Sequence, residues 1–296
     1  MENTSIKSQL GLKVRDYIAL TKPRLSLSVV FSACTAFYLG SDNPNLISVF
    51  TLGLGGFLVT GSANTLNQII EKDTDKLMDR TKNRPIASNR LDVSESIIFS
   101  GVIGVLGILL LSNFNYLSAV LGAISLISYA FIYTPLKKIT PASVWVGAIP
   151  GALPMSIGWC AATNDSFLSN EALFLFTLQF LWQFPHFWAI AWITYDDYAK
   201  GGFYLLPTGR LDGRNKSTSI QIIFYIVCLM VLSFVPLSLG ISSYLSFIVM
   251  ILAALFFMSI AVKLYVSNKK EDAKKLMLGS LVYQLVVFIT LIIDKQ

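Results

Sequence analysis

Two acidic clusters, each beside basic residues, are the parts of this sequence best suited to chemistry. In Asn67-Gln68-Ile69-Ile70-Glu71-Lys72-Asp73-Thr74-Asp75, the oxygen-bearing Asn67, Glu71 and Asp75 fall at i, i+4 and i+8. That spacing places them on one helix face, and Asp79 adds a further turn if the helix continues. Like charges four residues apart repel, so such a ladder implies a cation resting on it. Hard oxygen ligands suit Mg²⁺, which binds through one or two carboxylates together with substrate phosphate. Arg80, Lys82, Arg84 and Arg90 follow directly and suit phosphate oxygens. An isolated run of mixed charge is more often a solvated helix end; the ladder spacing and adjoining amide favour the metal reading.

The second cluster is Tyr195-Asp196-Asp197-Tyr198-Ala199-Lys200, and upstream of it lies Trp182-Gln183-Phe184-Pro185-His186-Phe187-Trp188. His186 is the only histidine in the chain. It precedes Asp197 by eleven residues, about three helical turns, so both can face one cavity about 16 Å apart. An ionisable group inside an apolar run is a functional candidate; a neutral core histidine beside a proline kink is the alternative.

The elements that position these residues follow from composition. Of 296 residues, 54% are hydrophobic and 14% charged, with a mean hydropathy of +0.63. A soluble domain carries about a quarter charged residues, so an ordinary soluble enzyme is excluded, as is a disordered or fibrous chain. Cys34, Cys160 and Cys228 have neither metal-site spacing nor the even number of a disulfide framework, and read as small core residues.

The apolar runs give nine spans, at roughly 25–40, 47–70, 96–112, 116–133, 143–163, 172–194, 217–239, 242–266 and 275–293. The fold class is therefore all-α, a polytopic membrane protein. The connections check the count, because 22 of the 23 Lys and Arg residues fall on one side of it and only Lys295 on the other. By the positive-inside rule that side is cytoplasmic and includes residues 1–24. The net charge of +6 is thereby a matter of topology, not of nucleic-acid binding. Both acidic clusters belong to the basic side, which suggests two halves repeated in parallel, each built around a helix ending in acids.

At this point the residues resemble a known family. The chain is similar to the UbiA superfamily of intramembrane prenyltransferases, and within it to the heme-modifying branch. The superfamily's Asn-xxx-Asp-xxx-Asp motif matches Asn67, Glu71 and Asp75, with glutamate at the middle position. Thr21-Lys22-Pro23-Arg24, Arg80-Thr81-Lys82-Asn83-Arg84-Pro85, Tyr133-Thr134-Pro135-Leu136-Lys137-Lys138 and Trp182-Gln183-Phe184-Pro185-His186-Phe187 are more specific. Asp196-Asp197-Tyr198 with Gly202-Phe203 and Leu206-Pro207 completes the set, while the last three spans carry no motif.

The resemblance implies one domain over 1–296, with nine helices around a cavity open to the cytoplasmic face of the cell (inner) membrane. It implies Mg²⁺ as cofactor, with farnesyl diphosphate and heme b as substrates. The 2-vinyl group of heme b gains a hydroxyethylfarnesyl group, and the heme o formed passes toward a heme a synthase or oxidase assembly. On this reading Asn67, Glu71, Asp75, Asp196 and Asp197 are the catalytic, metal-holding set. Lys22, Arg24, Arg80, Lys82, Arg84, Tyr133, Lys137 and Lys200 contact substrate, and His186 recognises heme. Three alternatives are another ring acceptor such as a quinone precursor, a secondary transporter, and a non-catalytic heme-binding subunit. Acids at one membrane edge, not at the midplane, weigh against the transporter.

Overall fold

The computed structural model describes residues 2–209 and 213–296, with side chains from residue 11 onward. The Lys7 side chain and Arg210, two of the basic residues counted above, lie outside the described residues. The chain runs as α1 (Glu2–Leu20), α2 (Pro23–Gly40), α3 (Leu46–Ile70), α4 (Lys72–Asp75), α5 (Val93–Ser112) and α6 (Tyr116–Ile127). A widened turn (Ser128–Tyr133) leads into α7 (Thr134–Leu136), α8 (Ser143–Thr163), α9 (Asn170–Ile193) and α10 (Tyr195–Lys200). The rest is α11 (Lys216–Leu232), α12 (Val235–Ser238), α13 (Tyr244–Ser267) and α14 (Lys270–Ile293).

Local sequence sets these boundaries. Asn45, Asn115, Ser169, Asn215 and Ser243 each accept a backbone N–H of the first turn that follows, satisfying a donor the helix cannot. Asn164 and Asn268 end α8 and α13 in the left-handed conformation at φ 59° and 54°. Each of the nine sequence spans corresponds to a helix, and four of them are followed by a short one, α4, α7, α10 and α12. Seven of these helices are long and apolar enough to cross a membrane. The other two, α2 and α9, are more polar, α2 through Arg24 and its three serines and α9 through Gln179, Gln183 and His186.

The core gathers around α8, 72% of whose apolar window is buried, with α2, α6 and α9 packed on it. A Cβ on Gly158 of α8 would lie 2.0 Å from the Ala33 carbonyl oxygen of α2, so only glycine permits that crossing. Small residues bring α3 and α5 together in the same way, with Gly107 against the Gly55 carbonyl and Val59. Close backbone approach of this kind drives helix association where lipid removes the hydrophobic incentive.

The basic connections meet at one end of the bundle. Arg90 there pairs with Asp16 and Lys13 with Glu95, fastening α1 to the segment after α4, while Asn268 donates to the Arg214 carbonyl. At the opposite end Lys295 reaches the Tyr38 and Ser41 carbonyls, and Asn115 donates to the Cys160 carbonyl and to Asn164 Oδ1. The charge asymmetry of the sequence is thus an asymmetry between two ends of one bundle.

Candidate functional site

The ladder of Asn67, Glu71 and Asp75 is buried at the basic end, each residue no more than 3% exposed. Its helix does not run on unbroken. α3 ends at Ile70, Glu71 sits at φ −93°, ψ 8°, and α4 resumes for four residues. The Glu71 and Asp75 amides still donate to the Asn67 and Glu71 carbonyls, at 3.0 and 2.7 Å, so the three side chains keep one face across the break. Past Asp75 the helix stops. Asp79, expected as a further rung, is instead exposed and bridges Lys82 and Lys200.

Each ladder residue has its own partner. Asn67 Oδ1 accepts from Lys22 Nζ at 3.0 Å, and its Nδ2 donates to Thr134 Oγ1 at 3.1 Å. Glu71 Oε1 lies 2.5 Å from Lys137 Nζ, both side chains being at most 10% exposed. Arg84 Nη1 donates to both Asp75 oxygens at 2.9 and 2.7 Å. Three motifs far apart in sequence therefore deliver one cation each to one acidic face.

Local backbone explains two of these deliveries. Lys22 adopts the left-handed conformation (φ 47°) directly before Pro23, costly for a residue with a Cβ, and aims its ammonium at Asn67. Pro135 lacks an N–H, so the helix widens before it: the Thr134 amide reaches back five residues to the Tyr129 carbonyl. That widened turn places Tyr133 and Thr134 beside the ladder. Lys137 Nζ lies 4.9 Å from the Tyr133 ring centroid and 5.3 Å from that of Phe203.

The electrostatics are those of a site short of solvent. Burial pushes the Asp75 carboxyl above the usual carboxylate range, in spite of Arg84. Loss of solvent, and then the Arg84 and Lys137 cations, push the Lys22 ammonium well below the usual lysine range. Outside the ladder, Lys200 and then Lys82 hold the exposed Asp79 carboxyl down to about 2.

The second acidic cluster docks on the loop after α4, so the structure brings the two clusters together. Asp197 accepts the Asp79 and Arg80 backbone amides at 2.7 and 3.2 Å. The Arg80 guanidinium lies 5.4 Å from the centre of the Tyr198 ring. Asp196 points elsewhere, into a two-bond pair with Arg214 at 2.9 and 3.1 Å. Neither Arg214, one of several basic residues in its connection, nor Thr134, inside the Tyr133–Lys138 motif, is marked by the sequence as a contact of these acids. Arg24 is exposed and takes no part in the ladder's contacts.

His186 does not join the acids. Its ring stacks on Trp182 (centroids 4.7 Å, interplanar angle 17°), and Nδ1 lies 2.7 Å from Ser280 Oγ on α14.

A divalent cation fits the ladder better than it fits all four acids. Glu71 Oε1 is buried and makes no well-aligned hydrogen bond in spite of its ion pair. Two carboxylates and an amide on one face match what Mg²⁺ takes when phosphate oxygens complete its shell. Among the described residues no three of His, Cys, Asp and Glu converge, and Asp196 and Asp197 are engaged with Arg214 and with backbone amides. The arrangement is one of exchangeable partners: an incoming metal–phosphate pair would take the carboxylates for the metal and release Lys22, Arg84 and Lys137 to the phosphate.

Comparison with known proteins extends these observations. Residues 28–291 match the UbiA prenyltransferase family. The chain is 42% identical to a Christiangramia forsetii protein named protoheme IX farnesyltransferase, over 100% of this chain and 98% of the relative. It is 44% identical to a Flavobacterium psychrophilum protein of the same name, over 95% and 94%. Among solved structures, a digeranylgeranylglyceryl phosphate synthase superposes with a TM-score of 0.77 at 17% identity, over 95% of this chain and 98% of that one. An Archaeoglobus fulgidus UbiA homologue bound to GPP and Mg²⁺ superposes with a TM-score of 0.67 at 15% identity, over 93% and 99%. Those two show the fold; the family match and the full-length relatives place the chain, which belongs to the UbiA prenyltransferase family.

Proposed function

We propose that this chain transfers the farnesyl group of farnesyl diphosphate to the 2-vinyl group of heme b, giving heme o and diphosphate. The observation that carries the reading is the buried Asn67–Glu71–Asp75 face, ringed by Lys22, Arg84 and Lys137, at the basic end of an apolar bundle. Full-length similarity to relatives named for that reaction supports the donor and acceptor. The whole of 1–296 acts as one domain in the cell membrane, its basic end facing the cytoplasm by the positive-inside rule.

Asn67, Glu71 and Asp75 would hold Mg²⁺, which would supply charge neutralisation for the departing diphosphate. Lys22, Arg84 and Lys137 bind the diphosphate oxygens and stabilise the charge that gathers there as the allylic C–O bond breaks. Asp197 holds the Asp79 and Arg80 amides and so fixes the loop that carries Lys82 and Arg84; Lys200 fastens the same loop through Asp79. The Tyr133 ring, adjoining this face, stabilises the allylic cation by a cation–π contact. The vinyl carbon bonds to farnesyl C1, and water adds to the carbon left positive, losing a proton to leave the hydroxyl. The product, itself membrane-soluble, passes to heme a synthesis or oxidase assembly.

The test uses purified protein in liposomes with heme b, farnesyl diphosphate and Mg²⁺, with and without EDTA, read by mass spectrometry. An EDTA-sensitive product of the mass of heme o is expected. Folded protein that makes none, yet prenylates another ring acceptor, would overturn the choice of acceptor.

A further inference from the structure

We propose that Ser280 is a positioning residue that fixes His186 as its Nδ1–H tautomer, leaving Nε2 to ligate the iron of the porphyrin acceptor. This rests on the acceptor reading above. The tautomer follows from hydrogen-bond arithmetic. Ser280 Oγ lies 2.6 Å from the Met277 carbonyl oxygen and 2.7 Å from His186 Nδ1. A carbonyl cannot donate, so an O···O contact of that length uses the single hydroxyl hydrogen. Ser280 Oγ then has only a lone pair to offer the ring, and Nδ1 must carry the proton. The Nε2 lone pair is then left free, and the ring is held by the Met277 carbonyl as well as by Ser280.

The ring's orientation is held from a second direction. His186 stacks on Trp182, whose Nε1 donates to the Ser280 carbonyl at 2.7 Å. One residue of α14 thus fixes both the histidine and the indole under it, through its side chain and its backbone. A histidine that ligates a metal commonly has its other ring nitrogen bonded in this way, which sets the tautomer and raises the basicity of the ligating atom. His186 remains partly accessible, and Phe187 beside it is 39% exposed, so a flat apolar ligand has a face to approach. An iron porphyrin meets these conditions: a soft-enough metal for imidazole, within an aromatic disc that buries apolar surface.

The experiment adds heme b to the full-length protein in detergent and records the absorption spectrum of the ferric form and, after reduction with dithionite, the resonance Raman spectrum of the ferrous form. The wild type is expected to give a histidine-ligated spectrum that His186→Ala loses and added imidazole restores. Ser280→Ala should lower the iron–histidine stretching frequency and weaken heme affinity by about 10- to 100-fold, the range for loss of such a supporting bond. Ser280→Thr, which keeps the hydroxyl, should restore both. A packing role alone would lower thermal stability and leave the Raman band in place, and that result overturns the proposal. So does a heme spectrum unchanged in His186→Ala. Turnover separates the two levels of the argument. A wild type that farnesylates heme b and iron-free protoporphyrin equally well keeps the acceptor and loses the iron ligand; one that farnesylates neither loses both.

Discussion

Glu71 and Thr194 break their helices with the same backbone geometry, φ −93°, ψ 8° at Glu71 and φ −102°, ψ 14° at Thr194. Each is a single residue between a long apolar helix and a short acidic one: α3 and α4 around Glu71, α9 and α10 around Thr194. In both the amide at the break still reaches the carbonyl four residues back. The break turns the chain without releasing it, so the acids that follow stay over the end of the bundle and do not project away. Two halves with little sequence identity thereby use one device. Their two loops then lock across it, with Asp197 on the Asp79 and Arg80 amides.

Asp75→Asn keeps the size of the side chain and removes its charge. With the carboxylate proposed to hold the metal gone, turnover should fall by about 100-fold or more, the scale on which lost transition-state electrostatics are felt. Arg84, 19% exposed, keeps water in reach and an amide oxygen to bond, so the protein should remain folded. Heme o formation and the thermal transition in detergent, measured on one preparation, decide it. Activity near that of the wild type would remove Asp75 from the site.

Glu71 and Lys137 test whether the ladder's cations are structural as well. Glu71→Gln leaves Lys137 charged and enclosed, and loss of one member of a buried pair costs about 3–5 kcal/mol. Adding Lys137→Met should return part of that stability, because it removes the unpaired charge, and should return no activity. The coupling free energy from the double-mutant cycle is the measurement. Strict additivity of the two changes would mean that the ion pair contributes nothing.

Substrate affinity should depend on pH if Lys22 binds the diphosphate as proposed. Its ammonium is held below the usual lysine range by loss of solvent and by Arg84 and Lys137. On the proposed role of Lys22 the protonated form binds diphosphate, which fixes the sign: affinity should be full below the Lys22 pKa and fall as pH rises through it, earlier than an ordinary lysine allows. Lys22→Arg cannot deprotonate and should flatten the profile. Inhibition by inorganic pyrophosphate across a pH series provides the reading, and parallel profiles for the two proteins would contradict it.

Much of this was legible in the sequence. Apolar runs set the helices, charge counting set the two ends, and the motif positions named Asn67, Glu71, Asp75, Arg84 and Lys137. The pairing of those residues was not legible, since Glu71–Lys137 and Lys22–Asn67 join separate spans and local spacing says nothing about such contacts. The pairing of Asp196 with Arg214, eighteen residues downstream, is likewise a contact that local spacing does not report. The ladder's break at Glu71 and the widened turn before Pro135 are backbone events that a side-chain pattern does not report. Ser280 lies in spans without motifs, and only the packing of α14 on α9 brings it to His186.

Asp294 gives a prediction at the end remote from the site. Its carboxylate accepts the Ser243 and Ser246 amides at 2.9 Å each, together with both hydroxyls, and so caps the first turn of α13 from the end of α14. Desolvation works against ionisation there, but those hydrogen bonds outweigh it and hold the carboxyl at about 2. A depressed carboxyl contributes stability above its unfolded pKa and loses it as pH falls through the folded one, so the contribution should be complete at neutral pH and vanish between about pH 4 and 2. Asp294→Ala removes the cap and should cost about 1–2 kcal/mol at pH 7, the upper part of the range for helix caps. Asp294→Asn should recover part of it, because an amide oxygen still accepts from one backbone N–H. Turnover per folded molecule should stay unchanged in both variants, since Asp294 lies at the opposite end from the ladder. Thermal unfolding in detergent at pH 7 and pH 3 separates the outcomes: equal loss at both values would place the effect in packing and not in the cap's charge.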